Sequence, residues 1–322
     1  MQSLLDPAIL FFIFGILAGL MKSNLEIPSQ IAKFLPLYLL MALGLKGGFA
    51  LAHSGLDLQL VTSLACAVAL ALIVPALSYL ALKRILPALD AVAVAATYGS
   101  VSAVTFITAV QYMDVHGLHY GGHMAAAMAL MESPAILFAV IVANTVRKRN
   151  PTVGAAGTEP TLGKILHESL TDGAQLLLLG AMLVGILSGE AGKASMQPFS
   201  GDLFKGMLAF FLLDMGLKAA RNLEQLRGKS PLLIAYSLLA PLVHAGIALG
   251  LAALFSLPAG DAALLMVLAA SASYIAVPAV LRFAIPEASP ALYLGMSLGL
   301  TFPFNILFGI PLYTTIAHRV LI

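Results

Sequence analysis

The chain alternates between long apolar runs and short polar connections. Ten runs approach the roughly 20 residues that a helix needs to cross a bilayer. They are Pro7–Met21, Pro28–Leu51, Leu58–Leu82, Ala91–Val110, Gly122–Val146, Glu168–Leu187, Leu203–Ala220, Pro231–Phe255, Ala262–Phe283 and Ala291–Ile316. Two of the runs are flawed in the same way. The fourth contains Tyr98-Gly99-Ser100-Val101-Ser102-Ala103-Val104-Thr105, one glycine with three hydroxyl residues. The ninth contains Ala269-Ala270-Ser271-Ala272-Ser273-Tyr274, closed by Pro278. A lipid-facing helix gains nothing from such a cluster. A helix that opens to hold something small and polar needs it, because unwound backbone and hydroxyls replace the ligand's water shell.

The pattern also repeats. Gly44-Leu45-Lys46 returns as Gly216-Leu217-Lys218, 172 positions later, and the same offset carries the first hydroxyl cluster onto the second. Glu132-Ser133-Pro134 and Thr301-Phe302-Pro303 fall at similar places in the last run of each half. Five spans per half means that the halves insert in opposite senses. The expected fold is an all-α membrane protein of about ten transmembrane helices in a 5+5 inverted repeat. Its two discontinuous helices cross near mid-membrane, where such proteins bind cargo. Residues 1–147 form the first repeat, 148–164 a linker and 165–322 the second repeat.

Composition agrees with the pattern: 60% of residues are apolar and 10% charged, with mean hydropathy +0.98, against about half and a quarter in soluble domains. A net charge of +2 gives no reason to expect nucleic acid. A single cysteine, Cys66, excludes a disulfide framework within the chain and reads as a packed thiol. No Lys or Arg precedes the first run, so it reads as a span and not a signal peptide. With ten spans and the N-terminus outside, 13 of the 17 Lys and Arg residues fall on one side, including those at 147–149. That bias places the linker in the cytoplasm and both termini outside a bacterial inner membrane.

Gly99, Ser100, Ser102 and Thr105, with Ser271, Ser273 and Tyr274, are the candidate substrate contacts. Hydroxyls and helix N-termini suit a small oxyanion, while exposed carbonyls suit Na⁺. The competing reading is hydroxyls bonded back to their own helix. Glu132, inside the fifth run, is a candidate coupling-ion residue with Ser102 and Ser273, since intramembrane carboxylates are usually functional; a place at a water-filled helix end would also explain it. Asp214 and Lys218 are spaced for an ordinary i,i+4 ion pair. His244 reads as packed. His116, His119 and His123 with Asp114 are loosely spaced like metal ligands, but they belong to a glycine-bearing loop, and no metal site is expected. Tyr98, Tyr274 and Tyr293 are candidates for cavity walls.

These residues resemble the sodium-dependent bicarbonate transporters of the SbtA type over nearly the whole chain. The resemblance is carried by Tyr98-Gly99-Ser100-Val101-Ser102 with Thr105, by Met131-Glu132-Ser133-Pro134-Ala135 with Val142-Ala143-Asn144, and by Glu168-Ser169-Leu170. It continues in Tyr236-Ser237-Leu238 with Ala240-Pro241 and His244, in Ser271, Ser273, Pro278 and Leu281-Arg282, and in Ile285-Pro286 with Pro290, Tyr293, Gly295 and Pro303. It implies bicarbonate and Na⁺ held between the two broken helices, a homotrimer, and a cytoplasmic PII-like regulator in members that have one. It also places Gly99, Ser102, Thr105, Ser271 and Ser273 in the substrate and sodium region. The chain departs from the family pattern at Tyr274, where an aspartate is usual, and at Glu132, where Asp is usual. Ala103 and Val104 replace small polar residues. Without the aspartate, Na⁺ loses its most obvious charged ligand, and protons through Glu132 become the alternative coupling ion. The expectation is therefore a secondary transporter of a small anion, bicarbonate first, coupled to Na⁺ or H⁺ and using no other cofactor. An organic-anion symporter and a non-transporting membrane sensor or scaffold are the alternatives. No catalytic dyad or cofactor motif suggests an enzyme.

Overall fold

Inside lipid an apolar segment can satisfy its own backbone only as a helix or in a closed barrel, and this chain forms helices. The computed structural model describes residues 5–54, 58–149, 171–226 and 228–321. The first part holds α1 (Pro7–Leu20), α2 (Ser29–Ser54), α3 (Leu58–Leu82), α4 (Ala88–Gly99), α5 (Ala103–Val115) and α6 (Met124–Arg149). The second holds α7 (Gly173–Met196), α8 (Phe204–Leu223), α9 (Pro231–Leu254), α10 (Ala259–Ala270), α11 (Ala276–Ala284) and α12. The last of these, Pro290–Val320, includes two π-helical stretches, Gly295–Thr301 and Asn305–Gly309. Among the described residues, seven helical stretches are long and apolar enough to cross a membrane, one of which spans both α7 and α8. The Glu168-Ser169-Leu170 motif and linker residues 150–164 lie outside the described residues.

The expected fourth and ninth runs are each two helices. The first breaks between Gly99 and Ala103, where Ser100 (φ −94°, ψ −175°) and Ser102 (φ −104°, ψ 108°) are extended. The second breaks after Ala270, where Ser271 is extended (φ −79°, ψ 163°). Gly99 has a packing reason: a Cβ there would strike the Pro75 ring of α3. Pro36, Pro75, Pro134 and Pro241 lie within helices without ending them.

The helices form two groups. In one, α1 lies along α8 and α2 along α7. Close backbone approach holds both pairs. Gly15 and Gly19 of α1 face Gly216 and Ala220 of α8, and Gly44 and Gly48 of α2 face Ala181 and Gly185 of α7. A Cβ at Gly48 would collide with the Met182 carbonyl, and one at Gly216 with the Phe12 carbonyl. Small residues four apart let helices pack by van der Waals contact where lipid provides no hydrophobic drive. In the other group α3 packs on α4 and α6, and α9 on α10 and α12.

Two latches of like construction tie the second group together. Asp90, in the first turn of α4, accepts the Ser289 N–H at 2.8 Å from the loop before α12. Asp261, in the first turn of α10, accepts the Gly121 N–H at 2.6 Å from the loop before α6. The α4–α5 helix starts at the end of the molecule that carries Arg147 and Glu287, hereafter the basic end, and α10–α11 starts at the far end. His123 Nε2 lies 3.3 Å from the other Asp261 oxygen, and both side chains are buried.

Candidate functional site

The two breaks are bonded to each other. The Ser273 N–H donates to the Thr97 carbonyl at 2.8 Å, and the Ser102 N–H donates to Ser271 Oγ at 2.9 Å. Each broken end is thereby completed from the opposite break. Asn305 adds a third tie, donating through Nδ2 to the Ala270 carbonyl at 2.8 Å, with Tyr313 OH on its Oδ1. The last carbonyls of a helix lack intrahelical partners; here Thr97 finds its partner across the break and Ala270 finds its own on Asn305 of α12.

Proton accounting sorts the candidate hydroxyls. A serine offers one donor and two acceptor positions. Ser271 donates to the Leu268 carbonyl at 2.8 Å and accepts from Ser102, so its proton is committed. Thr105 donates its hydroxyl proton to Ser102 Oγ at 2.9 Å. Ser102 accepts that bond and a second from the Thr105 N–H at 3.2 Å, capping α5, which fills its acceptor side and leaves its own proton free. Ser273 accepts from the Val277 N–H at 3.3 Å and likewise keeps a free proton. Among the described residues the buried Tyr274 hydroxyl makes no well-formed hydrogen bond, although the Ser102 side chain lies beside it. Its ring packs edge-on against Phe302, 5.2 Å between centroids.

The three residues with uncommitted protons share one cavity. It has a volume of about 530 Å³ and takes in Ser102, Ser273, Tyr274 and Glu132. Its mouth at the basic end carries Lys33, Asp172 and Lys218. The starts of α5 (Val101–Val104) and of α11 (Ser273–Ala276) both line it. A helix start presents N–H groups without intrahelical acceptors and about half a positive charge. The cavity therefore ends at two positive helix ends and three spare hydroxyl donors, with apolar walls from Leu37, Leu40 and Phe211. Glu132 reaches across from α6 to α7, where Gln175 Nε2 donates to its Oε2 at 2.6 Å.

The remaining candidates lie elsewhere. Gly99, Ser100, Thr105 and Ser271 are buried behind the cavity and do not line it. Ser100 Oγ is buried without a hydrogen-bond partner among the described residues. Tyr98 is a core residue whose hydroxyl meets Thr301 Oγ1 at 2.6 Å, with Thr301 donating in turn to the Ser237 carbonyl. Tyr293 is buried in the same core cluster. His244 Nε2 stands 3.5 Å from Ser78 Oγ, a packed histidine. Lys218 and Asp214 form the expected i,i+4 pair at 2.6 Å. Among the described residues no group of three or more His, Cys, Asp or Glu side chains could hold a metal ion, so His116, His119 and His123 do not gather as ligands. Sequence reading passed over Gln175, Asn305 and the two latch aspartates. A lone amide within an apolar run, as at Asn305, was the signal that could have found one of them.

A second cavity, about 560 Å³, opens at the far end between the other ends of α2, α5 and α7. None of the break residues lines it. Across it Lys46 of α2 meets Asp114 of α5 at 3.1 Å, Tyr120 OH donates to Asp114 Oδ1 at 2.9 Å, and the Lys46 ammonium sits 4.3 Å from the centre of the Phe204 ring.

The two broken helices are joined back to back, with spare hydroxyl donors at the end of one cavity. Among curated proteins, none matches the chain. A family model, the Na⁺-dependent bicarbonate transporter superfamily, matches residues 7–318, nearly its whole length. The chain belongs to that superfamily.

Proposed function

We propose that this chain moves bicarbonate across the membrane together with Na⁺ by alternating access. The observation that carries the reading is the set of three uncommitted hydroxyl protons on Ser102, Ser273 and Tyr274, grouped where two helix N-termini meet one cavity. Donors without acceptors, in a site with no buried cation among its innermost lining residues, suit a singly charged oxyanion. A 5+5 inverted repeat is part of the proposal. It is supported by the opposite directions of the two broken helices, by the matching Asp90 and Asp261 latches, and by the exchange of partners between α1–α8 and α2–α7. Residues 1–147 and 165–322 are then its halves. The basic end faces the cytoplasm on the positive-inside bias, and the conformation is open to that side.

Ser102 and Ser273 would serve both anion and Na⁺, with Glu132 as the charged oxygen ligand on the cavity wall. Glu132 also supports a second coupling, by protons: it is a carboxylate on the cavity wall, bonded to Gln175 one turn inside Asp172 at the mouth. The cavity is also larger than bicarbonate needs, which favours an organic carboxylate as the alternative cargo. The test is uptake of labelled bicarbonate by proteoliposomes under an imposed Na⁺ or proton gradient, with short-chain carboxylates as competitors. Na⁺-driven uptake that survives Glu132→Gln would exclude proton coupling through Glu132. No gradient-driven uptake of any small anion would overturn the proposal.

A further inference from the structure

The two repeat-related lysines are in different situations. Lys46 and Lys218 stand 172 positions apart, each on a helix of the α1–α8/α2–α7 group. Lys46 is bonded across the seam to Asp114 of α5, on the wall of the far-end cavity, which stops short of the break residues. Lys218 stays within its own group, paired to Asp214 one turn back, beside an open cavity. The acid that corresponds to Asp114 in the second half is Glu287, 173 positions on. It too stays within its own group: Arg147 grips it through Nε at 3.1 Å and through a second nitrogen at 2.7 Å. The seam is thus ion-paired at the end whose cavity stops short of the breaks and not at the end whose cavity reaches them, although both ends carry the same kinds of residue.

We propose that Lys46–Asp114 and Lys218–Glu287 are alternating gate pairs, one formed when the other is broken. In the conformation described, the far-end pair is made. Opening that end breaks it. The basic end then closes as Lys218 leaves Asp214 for Glu287, which releases one of its bonds to Arg147. Tyr120 has a defined part, since its bond to Asp114 holds the carboxylate in place for Lys46. The two α2 and α8 lysines act as positioning residues for the conformational change and not as cargo ligands. This inference rests on the alternating-access reading but not on the identity of the cargo.

The test uses accessibility, read without any substrate. Cys66 is the only cysteine, so Cys66→Ser gives a clean background. Val110→Cys reports on the floor of the far-end cavity, where Val110 is 1% exposed, and Ala279→Cys reports on the basic-end wall. Adding Lys46→Gln should raise labelling of Val110→Cys by a membrane-impermeant maleimide about fivefold and lower that of Ala279→Cys, the shift expected from losing a partly exposed pair in a two-state balance. Asp114→Asn should do the same. The reversed pair, Lys46→Asp with Asp114→Lys, should restore native labelling. A Lys218→Cys/Glu287→Cys pair should cross-link faster when Lys46→Gln is present. Unchanged Val110→Cys labelling in both single variants, or cross-linking that is no faster, would overturn the proposal. If labelling shifts while no anion is taken up, the gate stands and the transport reading falls; uptake without a shift does the reverse.

Discussion

Tyr274→Phe removes one oxygen atom and should move stability and transport in opposite directions. The ring keeps its edge-on contact with Phe302 and its place in the core. No well-formed hydrogen bond among the described residues is lost, the hydroxyl's approach to Ser102 falling short of one. A buried unpaired polar group is unfavourable by about 1–3 kcal/mol. Its removal should leave the melting temperature unchanged or raise it, by ~2 °C for each kcal/mol relieved in a chain of this size. The bound anion, in contrast, loses a hydrogen bond to a charged group, worth about 1.5–3 kcal/mol. KM for bicarbonate should therefore rise about ten- to a hundredfold. Ser271→Ala serves as the opposite control. Its proton and one of its acceptor positions are committed to Leu268 and Ser102, so it should lower the melting temperature and change KM far less. The assay pairs proteoliposome uptake with thermal unfolding followed by tyrosine emission, the chain having no tryptophan. An unchanged KM in Tyr274→Phe, or a melting temperature several degrees lower, would refute the reasoning.

Other changes have equally definite outcomes. Asp261→Ala deletes a buried acceptor of the Gly121 N–H and strands His123; a loss of about 2–4 kcal/mol is expected, read as a lower melting temperature. Gly48→Val forces α2 off the Met182 carbonyl of α7, and the protein should fail to give a monodisperse peak in detergent, whereas Gly180→Ala, at a helical glycine facing open space, should behave as wild type. Burial acts to raise the Glu287 carboxyl, but the Arg147 guanidinium outweighs it and holds the group below its ordinary value of 4.5. A lowered folded-state value means stability that is present above 4.5 and is lost as pH falls through the folded value. The melting-temperature gap between wild type and Glu287→Gln should accordingly be clear near neutral pH and close in acid; a gap that persists in acid would assign it to packing.

Much of the fold was legible because lipid leaves the sequence few choices. Apolar length marks the spans, and the hydroxyls beside Gly99 and after Ala270 mark both breaks. The span edges were misjudged where a charge opens a helix: α4 and α10 each begin about three residues earlier than the apolar runs, with Asp90 and Asp261 inside their first turns. Those aspartates look like ordinary helix-start acids until Ser289 and Gly121 arrive from far along the chain. The hydroxyls could be found but not ranked. Ser102 and Ser271, or Ser273 and Thr105, are alike as residue types; only the direction of each hydrogen bond separates cavity donors from scaffold. Glu132 stood out as a charge in an apolar run, whereas its partner Gln175 lies 43 residues away, beyond any local pattern.

The reciprocal latches also constrain how the protein is made. Asp90 and its acceptor bond to Ser289 are 199 residues apart, and Gly121 waits for Asp261 across 140. At about 5–20 residues per second of synthesis, the first broken helix stands in the membrane for ~10–40 s before its partner is made. Neither broken helix can satisfy its own broken end, since Thr97 needs Ser273 and Ser102 needs Ser271. A ribosome that stops midway leaves a half-protein with exposed hydrogen-bonding groups in lipid, a natural substrate for membrane proteases. Two halves supplied as separate chains would, by the same logic, each depend on the other for survival.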